Sequence, residues 1–231
     1  MHVILVPGLW LDASAWDEVA PVLQEAGHSV QALTRTGDTL DEQVAGIVAV
    51  LDEAASPTEP VVLAGHSGAG PMVLMAADQR PSLVAHLLYV DTFPAPDGAS
   101  INDELPVVDG AVPLPPWDVW EPATVRGMTP ALRRAFEERA FPEPAAVPSD
   151  PFHYADPARH RIPATVVSSE IPAAELAAMV AEHHAWTTEL AAVEDLTVVG
   201  LETGHWPMFT APRELGALLV QALAPEPTAG P

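Results

Sequence analysis

The chain contains no cysteine, and none of its nine basic residues is a lysine. The first absence excludes disulfides, thiolate metal sites and a cysteine nucleophile. The second leaves nine arginines against 32 acidic residues, a formal charge of −23. A surface of that sign repels phosphate backbones and anionic lipid, so neither nucleic acid nor a membrane is an expected partner. No uninterrupted apolar run approaches the ~20 residues needed to cross a bilayer. The opening MHVILVPGLWL is apolar but short and lacks a basic flank. It is expected to be a first β-strand rather than a signal peptide, in a soluble cytoplasmic protein. There is no His-Glu-x-x-His, and the adjacent His183 and His184 cannot share one helical face, so neither a metal nor a cofactor is expected.

What is present alternates. Apolar, β-prone runs at His2–Val6, Ser29–Leu33, Val61–Ala64, His86–Val90, Ala164–Val167 and Leu196–Leu201 suit strands buried on both faces. Helical patterns lie between them. Ser14 and Asp17 open one helix, running to about Ala26. Thr39 and Glu42 form a capping box before the Val44, Ile47, Val48, Leu51 stripe. A third helix continues from Pro71 to Ala77, and Pro172 and Pro212 sit at first-turn positions of two more. This order predicts an α/β fold: a doubly wound, mainly parallel sheet of about six strands.

Residues 93–163 interrupt the rhythm, with fourteen of the 26 prolines and no strand pattern. So long a stretch is not a simple connection. It is expected to be a helical, proline-rich cap inserted into a core formed by residues 1–92 and 164–224. Thr129 and Pro130 open a short helix within it. Residues 225–231 are expected to be a disordered tail.

The chemistry centres on LAGHSGAGPM, residues 63–72. A serine hydroxyl is a poor nucleophile near neutrality; it needs a base, a group to orient that base, and N–H donors for the oxyanion. A sharp strand-to-helix turn lifts Ser67 clear of the sheet and demands small neighbours, met here by Gly65 on one side and Ala69-Gly70 on the other. His205, in the turn after the last strand, is the histidine placed to serve as base. The Gly68 N–H, at a helix start, is one expected oxyanion donor. The loop VPGLW supplies the other, from Leu9 or alternatively Trp10.

These segments, VILVPGLWLDASAW, LAGHSGAG and LETGHWPMF, in this order and spacing, resemble the α/β-hydrolase superfamily in its small-esterase and lactonase-like branch. The resemblance implies a nucleophile–acid–histidine order in which Ser67 is the nucleophile, His205 the base, and Leu9 with Gly68 the oxyanion donors. It also implies a cap that shapes the pocket. Pro7 stands where a histidine commonly precedes the first-loop glycine, and Ala69 where a second elbow glycine is usual. The family commonly carries its acid after the strand that is here Ala164–Val167, where Glu170 is the early carboxylate. Some relatives carry it one strand earlier, where Asp91 ends a buried strand. Asp91 is favoured, because a carboxylate there is costly unless a donor such as an imidazole meets it; Glu170 stays open as the alternative. The substrate pocket is expected to draw on Trp10, His66, Phe93, Trp117, Trp120, Phe136 and Trp206.

The expected activity is hydrolysis of an ester or lactone of a small, neutral, partly apolar molecule through an acyl-enzyme on Ser67. The alternatives are lyase, cyclisation or perhydrolase chemistry with the same residues, as in hydroxynitrile lyases, or ligand binding without turnover.

Overall fold

The structure, a computed structural model, describes residues 1–55, 59 and 61–224. The expected tail at 225–231 lies outside them. Strands β1 (His2–Val6), β2 (Ser29–Ala32), β3 (Val61–His66) and β4 (Val84–Val90) come first. Two short strands follow, β5 (Ala111–Val112) and β6 (Glu143–Pro144), and then β7 (Ala164–Ser168) and β8 (Leu196–Gly200). Six of them form one sheet in the order β2-β1-β3-β4-β7-β8. Every pairing in it is parallel, for example Val6 opposite Gly65 and Gly65 opposite Tyr89. Strand β3 is buried along its whole length, as its unbroken apolar run requires of a central strand covered on both faces.

Helices α1 (Ala20–Glu25), α2 (Leu40–Ala54) and α3 (Ala69–Gln79) belong to the first half of the chain. Helices α4 (Pro130–Glu137) and α5 (Ala146–Ser149) lie within 93–163. Helices α6 (Ala173–Ala181), α7 (Thr188–Ala191), α8 (Pro207–Thr210) and α9 (Pro212–Ala222) follow. Thr39 Oγ1 accepts the Glu42 N–H at 3.2 Å, and the Glu42 carboxylate accepts the Asp38 N–H, one residue upstream of the reciprocal bond expected. The helix expected from Ser14 divides in two. Asp12 caps a 3₁₀ turn over Ala13–Trp16 by accepting the Ser14 N–H, and α1 starts afresh at Ala20 with a proline in its first turn.

The stretch 93–163 contains paired strands after all: β5 and β6 form an antiparallel ribbon. This is a correction to the reading of that stretch as free of strands. Two residues of pairing are too few to show a period in sequence. Elsewhere in the stretch, Phe136 of α4 is fully buried and meets Trp117, Trp206 and Phe209 at ring-centroid distances of 5.4–5.5 Å. Trp120 and Trp10 extend the cluster edge to face. The aromatic residues thereby join 93–163 to the elements around Trp206, with geometry that adds to simple area burial.

Because β1 leads out to β2 while β3 lies on its other side, the strand order reverses between β1 and β3. In open α/β sheets ligands bind outside the carboxyl ends of the strands at such a reversal. The loops after β1 and β3 carry Leu9 and Ser67.

Truncating the central ring tests the aromatic cluster. Phe136→Ala is expected to cost about 3–5 kcal/mol of unfolding free energy. It should be read as a lowered midpoint in urea denaturation followed by tryptophan fluorescence.

Candidate active site

Ser67 follows β3 with φ +53°, a left-handed conformation uncommon for a residue with a Cβ. The turn is so tight that a Cβ on Gly65 would stand 2.6 Å from the Ala69 carbonyl oxygen. A Cβ on Gly70 would meet the Thr92 side chain at 2.5 Å, whereas Ala69 is fully buried without such a conflict. The second position that must be glycine is therefore 70, where the loop after β4 packs. Asp91 follows β4 with φ +45°, held by its N–H to the Val167 carbonyl at 2.8 Å.

The side chains from these strand ends converge. His205 Nε2 lies 2.8 Å from Ser67 Oγ, and His205 Nδ1 lies 2.7 Å from Asp91 Oδ2. The second Asp91 oxygen accepts the N–H groups of Ser169 at 2.7 Å and Glu170 at 2.9 Å. Glu170 is there as well, its Oε2 3.2 Å from the same Nδ1. The two carboxylates weighed as rivals in the sequence both reach the imidazole. Asp91, Glu170 and His205 offer donor atoms within 4.8 Å of one another, a spacing that could also suit a metal ion. The imidazole and both Asp91 oxygens, however, are already engaged in the hydrogen bonds above.

The electrostatics follow from these contacts. Burial alone would lower the pKa of His205, but the hydrogen bond to Asp91 and the close carboxylate of Glu170, with both negative charges, push it up to about 9. For Asp91, burial would raise the pKa; the hydrogen bond and charge of His205, with the two backbone donors, outweigh it and hold the carboxyl below its ordinary value. His66 is fully buried, and burial followed by the His205 charge lowers its pKa to about 3, so it is neutral at ordinary pH.

His66 is accordingly a correction to its expected place in the pocket. Its Nε2–H donates to the His205 carbonyl at 2.7 Å, fixing the backbone of the histidine turn from beneath. The cavity that opens on Ser67 measures about 220 Å³ and is lined by Gly68, Pro71, Asp91, Thr92, Phe93, Ala95, Ser100, Ile101, Phe152 and His205. Of the aromatic residues expected there, Phe93 is present. Trp10, Trp117, Trp120, Phe136 and Trp206 pack on one another instead. Phe152, not anticipated, takes their place.

The loop after β1 is held by a network that sequence reading missed. Arg35 and Glu143, their side chains 1% and 0% exposed, form an ion pair at 2.5 Å. Arg35 also donates to the carbonyls of Pro7 at 2.9 Å and Gly8 at 2.7 Å, and to Gln43. Glu143 Oε1 accepts the Trp10 N–H at 2.9 Å, which removes Trp10 as an oxyanion donor and corrects that alternative. Trp10 itself sits at φ +65°, its indole N–H on the Val112 carbonyl and its own carbonyl accepting the Phe141 N–H. Among the described residues, the N–H groups of Leu9 and Gly68 have no protein acceptor. A Cβ on Gly68 would lie 3.0 Å from Leu9 Cγ, so the two residues are in close contact.

The family model of the alpha/beta hydrolase family matches residues 3–218. The chain belongs to the alpha/beta hydrolase family. Among curated relatives, it is 29% identical to Methylesterase 8 of Arabidopsis thaliana over 102 residues, 40% of this chain and 38% of that protein. It is 28% identical to the Alpha-hydroxynitrile lyase of the same plant over 102 residues, 40% of each chain. These matches span about two fifths of the relatives' length. Among solved structures, an extracellular alpha/beta-hydrolase from a Paenibacillus species aligns with a TM-score of 0.77 at 20% identity. That alignment covers 96% of this chain and 98% of the other. Among the described residues no helix is long and apolar enough to cross a membrane.

Two outcomes are expected from this geometry. Glu143→Gln leaves the Arg35 charge buried without its counter-ion and should cost about 3–5 kcal/mol, measured by chemical denaturation. The raised pKa of His205 contributes stability fully below its unfolded value of 6.5, and that contribution is lost as pH rises through about 9. The thermal midpoint should therefore fall over that window, and fall less steeply in His205→Gln, as calorimetry at a series of pH values would show.

Proposed function

We propose that the protein hydrolyses a carboxylic ester or lactone of a small, neutral, partly apolar molecule through an acyl-enzyme on Ser67. The observation that carries this is the unbroken line from Ser67 Oγ through the His205 ring to Asp91 Oδ2, with both spacings under 3 Å. Deprotonated His205 takes the hydroxyl proton as Ser67 Oγ attacks the ester carbonyl. The N–H groups of Leu9 and Gly68 receive the oxyanion, and the new imidazolium is stabilised by Asp91. As the tetrahedral intermediate collapses, the C–O bond to the alcohol breaks and His205 returns the proton to the leaving oxygen. Water, deprotonated by the same ring, attacks the acyl-enzyme and releases the acid and free Ser67.

The cavity supports the substrate class. Its walls include Pro71, Phe93, Ala95, Ile101 and Phe152, and among the described residues no arginine lines it. An anionic substrate would meet Asp91 and a chain of formal charge −23, and the positive charge it could meet there, on protonated His205, is already shared by Asp91 and Glu170. The cavity is also small, about 220 Å³. It suits a short acyl or alcohol group better than a long chain.

Ser67→Ala is expected to abolish labelling by a fluorophosphonate probe and to lower turnover of p-nitrophenyl acetate by about 10⁴-fold or more. Acetate and butyrate esters should be preferred over octanoate. Labelling that survives the substitution would overturn the mechanism. Silence on an ester panel alongside cyanohydrin cleavage would move the protein to the lyase class.

A further inference from the structure

The acyl-transfer steps above make no use of Glu170, yet this residue is built into the site from three directions. Its Oε2 is 3.2 Å from His205 Nδ1, the nitrogen that already donates to Asp91. Its Oε1 accepts the Thr124 hydroxyl, and its own N–H donates to Asp91. Thr124 is bound a second time, its carbonyl accepting the His205 N–H at 2.8 Å, and the Arg126 carbonyl accepts the Gly204 N–H at 3.2 Å. Residues 124–126 are thus a strap that clamps the histidine turn by its backbone and Glu170 by its side chain.

One ring N–H cannot point fully at two acceptors. Asp91, the nearer, takes the hydrogen, and Glu170 acts mainly through its charge. Two carboxylates this close repel each other unless a cation lies between them. The group that can become that cation is the imidazole they share. The other titratable groups facing it are few. His66, its ring 5.0 Å away, is buried and neutral; Ser67 lies on the opposite nitrogen; Arg126 and Glu202 line a cavity together with Glu170.

We infer that Glu170 is a positioning residue that sets how tightly His205 holds its proton, and that the strap, through Thr124, sets how firmly Glu170 does so. This rests on the assignment of Ser67, His205 and Asp91 in the proposed mechanism. The consequence has two signs. A second carboxylate stabilises the imidazolium that forms as serine is attacked, which favours the transition state. It also keeps the resting ring protonated near neutrality, when a base must be free. Activity should rise as the medium becomes alkaline, in line with the raised pKa of His205, to which Glu170 contributes after Asp91.

The test follows the His205 imidazole by NMR titration in the full chain, with His205→Gln to assign the resonance. Glu170→Gln keeps the shape and an acceptor for Thr124 but removes the charge. Its His205 midpoint is expected to fall by about one pH unit, a tenfold change in proton affinity. Thr124→Val should move it the same way by less. In p-nitrophenyl acetate hydrolysis the acid limb of kcat/KM should shift with the midpoint. Glu170→Gln would then exceed the parent below neutrality and fall beneath it at high pH, so the two profiles cross. An unchanged midpoint in Glu170→Gln, or equal loss of turnover at every pH, would overturn the inference; an unchanged midpoint in Thr124→Val alone would overturn the part assigned to the strap. The titration needs no substrate, so its failure is separable from failure of the ester-hydrolase reading, which fluorophosphonate labelling decides.

Discussion

A guanidinium and a carboxylate withdrawn from water together are the constraint on which the site depends. Arg35 follows β2, and Glu143 begins the short strand β6 more than a hundred residues later. Burying either charge alone would be prohibitive, and even the pair requires its remaining donors and acceptors to be met. They are met by the backbone of residues 7–10: two carbonyls turn to Arg35 and one N–H to Glu143. With the carbonyls of Pro7 and Gly8 turned to Arg35 and the Trp10 N–H committed to Glu143, the loop is fixed with the Leu9 N–H left without a protein acceptor among the described residues. The charged pair thereby does for the first loop what the tight turn at Ser67 does for the second.

The sheet supplies the other half of the arrangement. Parallel strands in register bring the ends of β1, β3, β4, β7 and β8 to one edge, each delivering a different chemical group. Several of these groups are tied through neighbours rather than directly. His66 holds the carbonyl of His205, the N–H groups of Ser169 and Glu170 hold Asp91, and the Thr92 side chain fills the space that Gly70 leaves open. A displacement of the β4 loop would therefore reach both Asp91 and the turn at Ser67.

What the sequence made legible was local or periodic. The six core strands were visible as apolar runs because parallel strands are buried on both sides. The loops bearing Ser67 and His205 were visible because a small-residue turn and a post-strand histidine are compact signals. Long-range pairings left no such mark. Nothing near Arg35 names Glu143 as its partner, and two-residue strands such as β5 and β6 carry no period. The aromatic residues were identifiable as clustered in 93–163 and around Trp206, but not the side they face. Five of them pack together, while Phe152, less conspicuous in sequence, reaches the cavity. The choice between Asp91 and Glu170 could not be made from spacing because the structure brings both to the imidazole.

Trp10, Ser67 and Asp91, in the turns after β1, β3 and β4, have positive φ without being glycine, as do Asp109 and His183. Each such conformation carries of order 1–3 kcal/mol of strain. Together they amount to a substantial share of the ~5–15 kcal/mol by which a domain is ordinarily stable. Anyone seeking a more heat-resistant variant would find Ser67 and Asp91 tied to the candidate site, whereas Asp109 and His183, also at positive φ, lie outside it. Gains in durability must come from outside the site, for instance from the exposed Val107, Val108, Val119 and Trp186, where nothing in the chemistry opposes change.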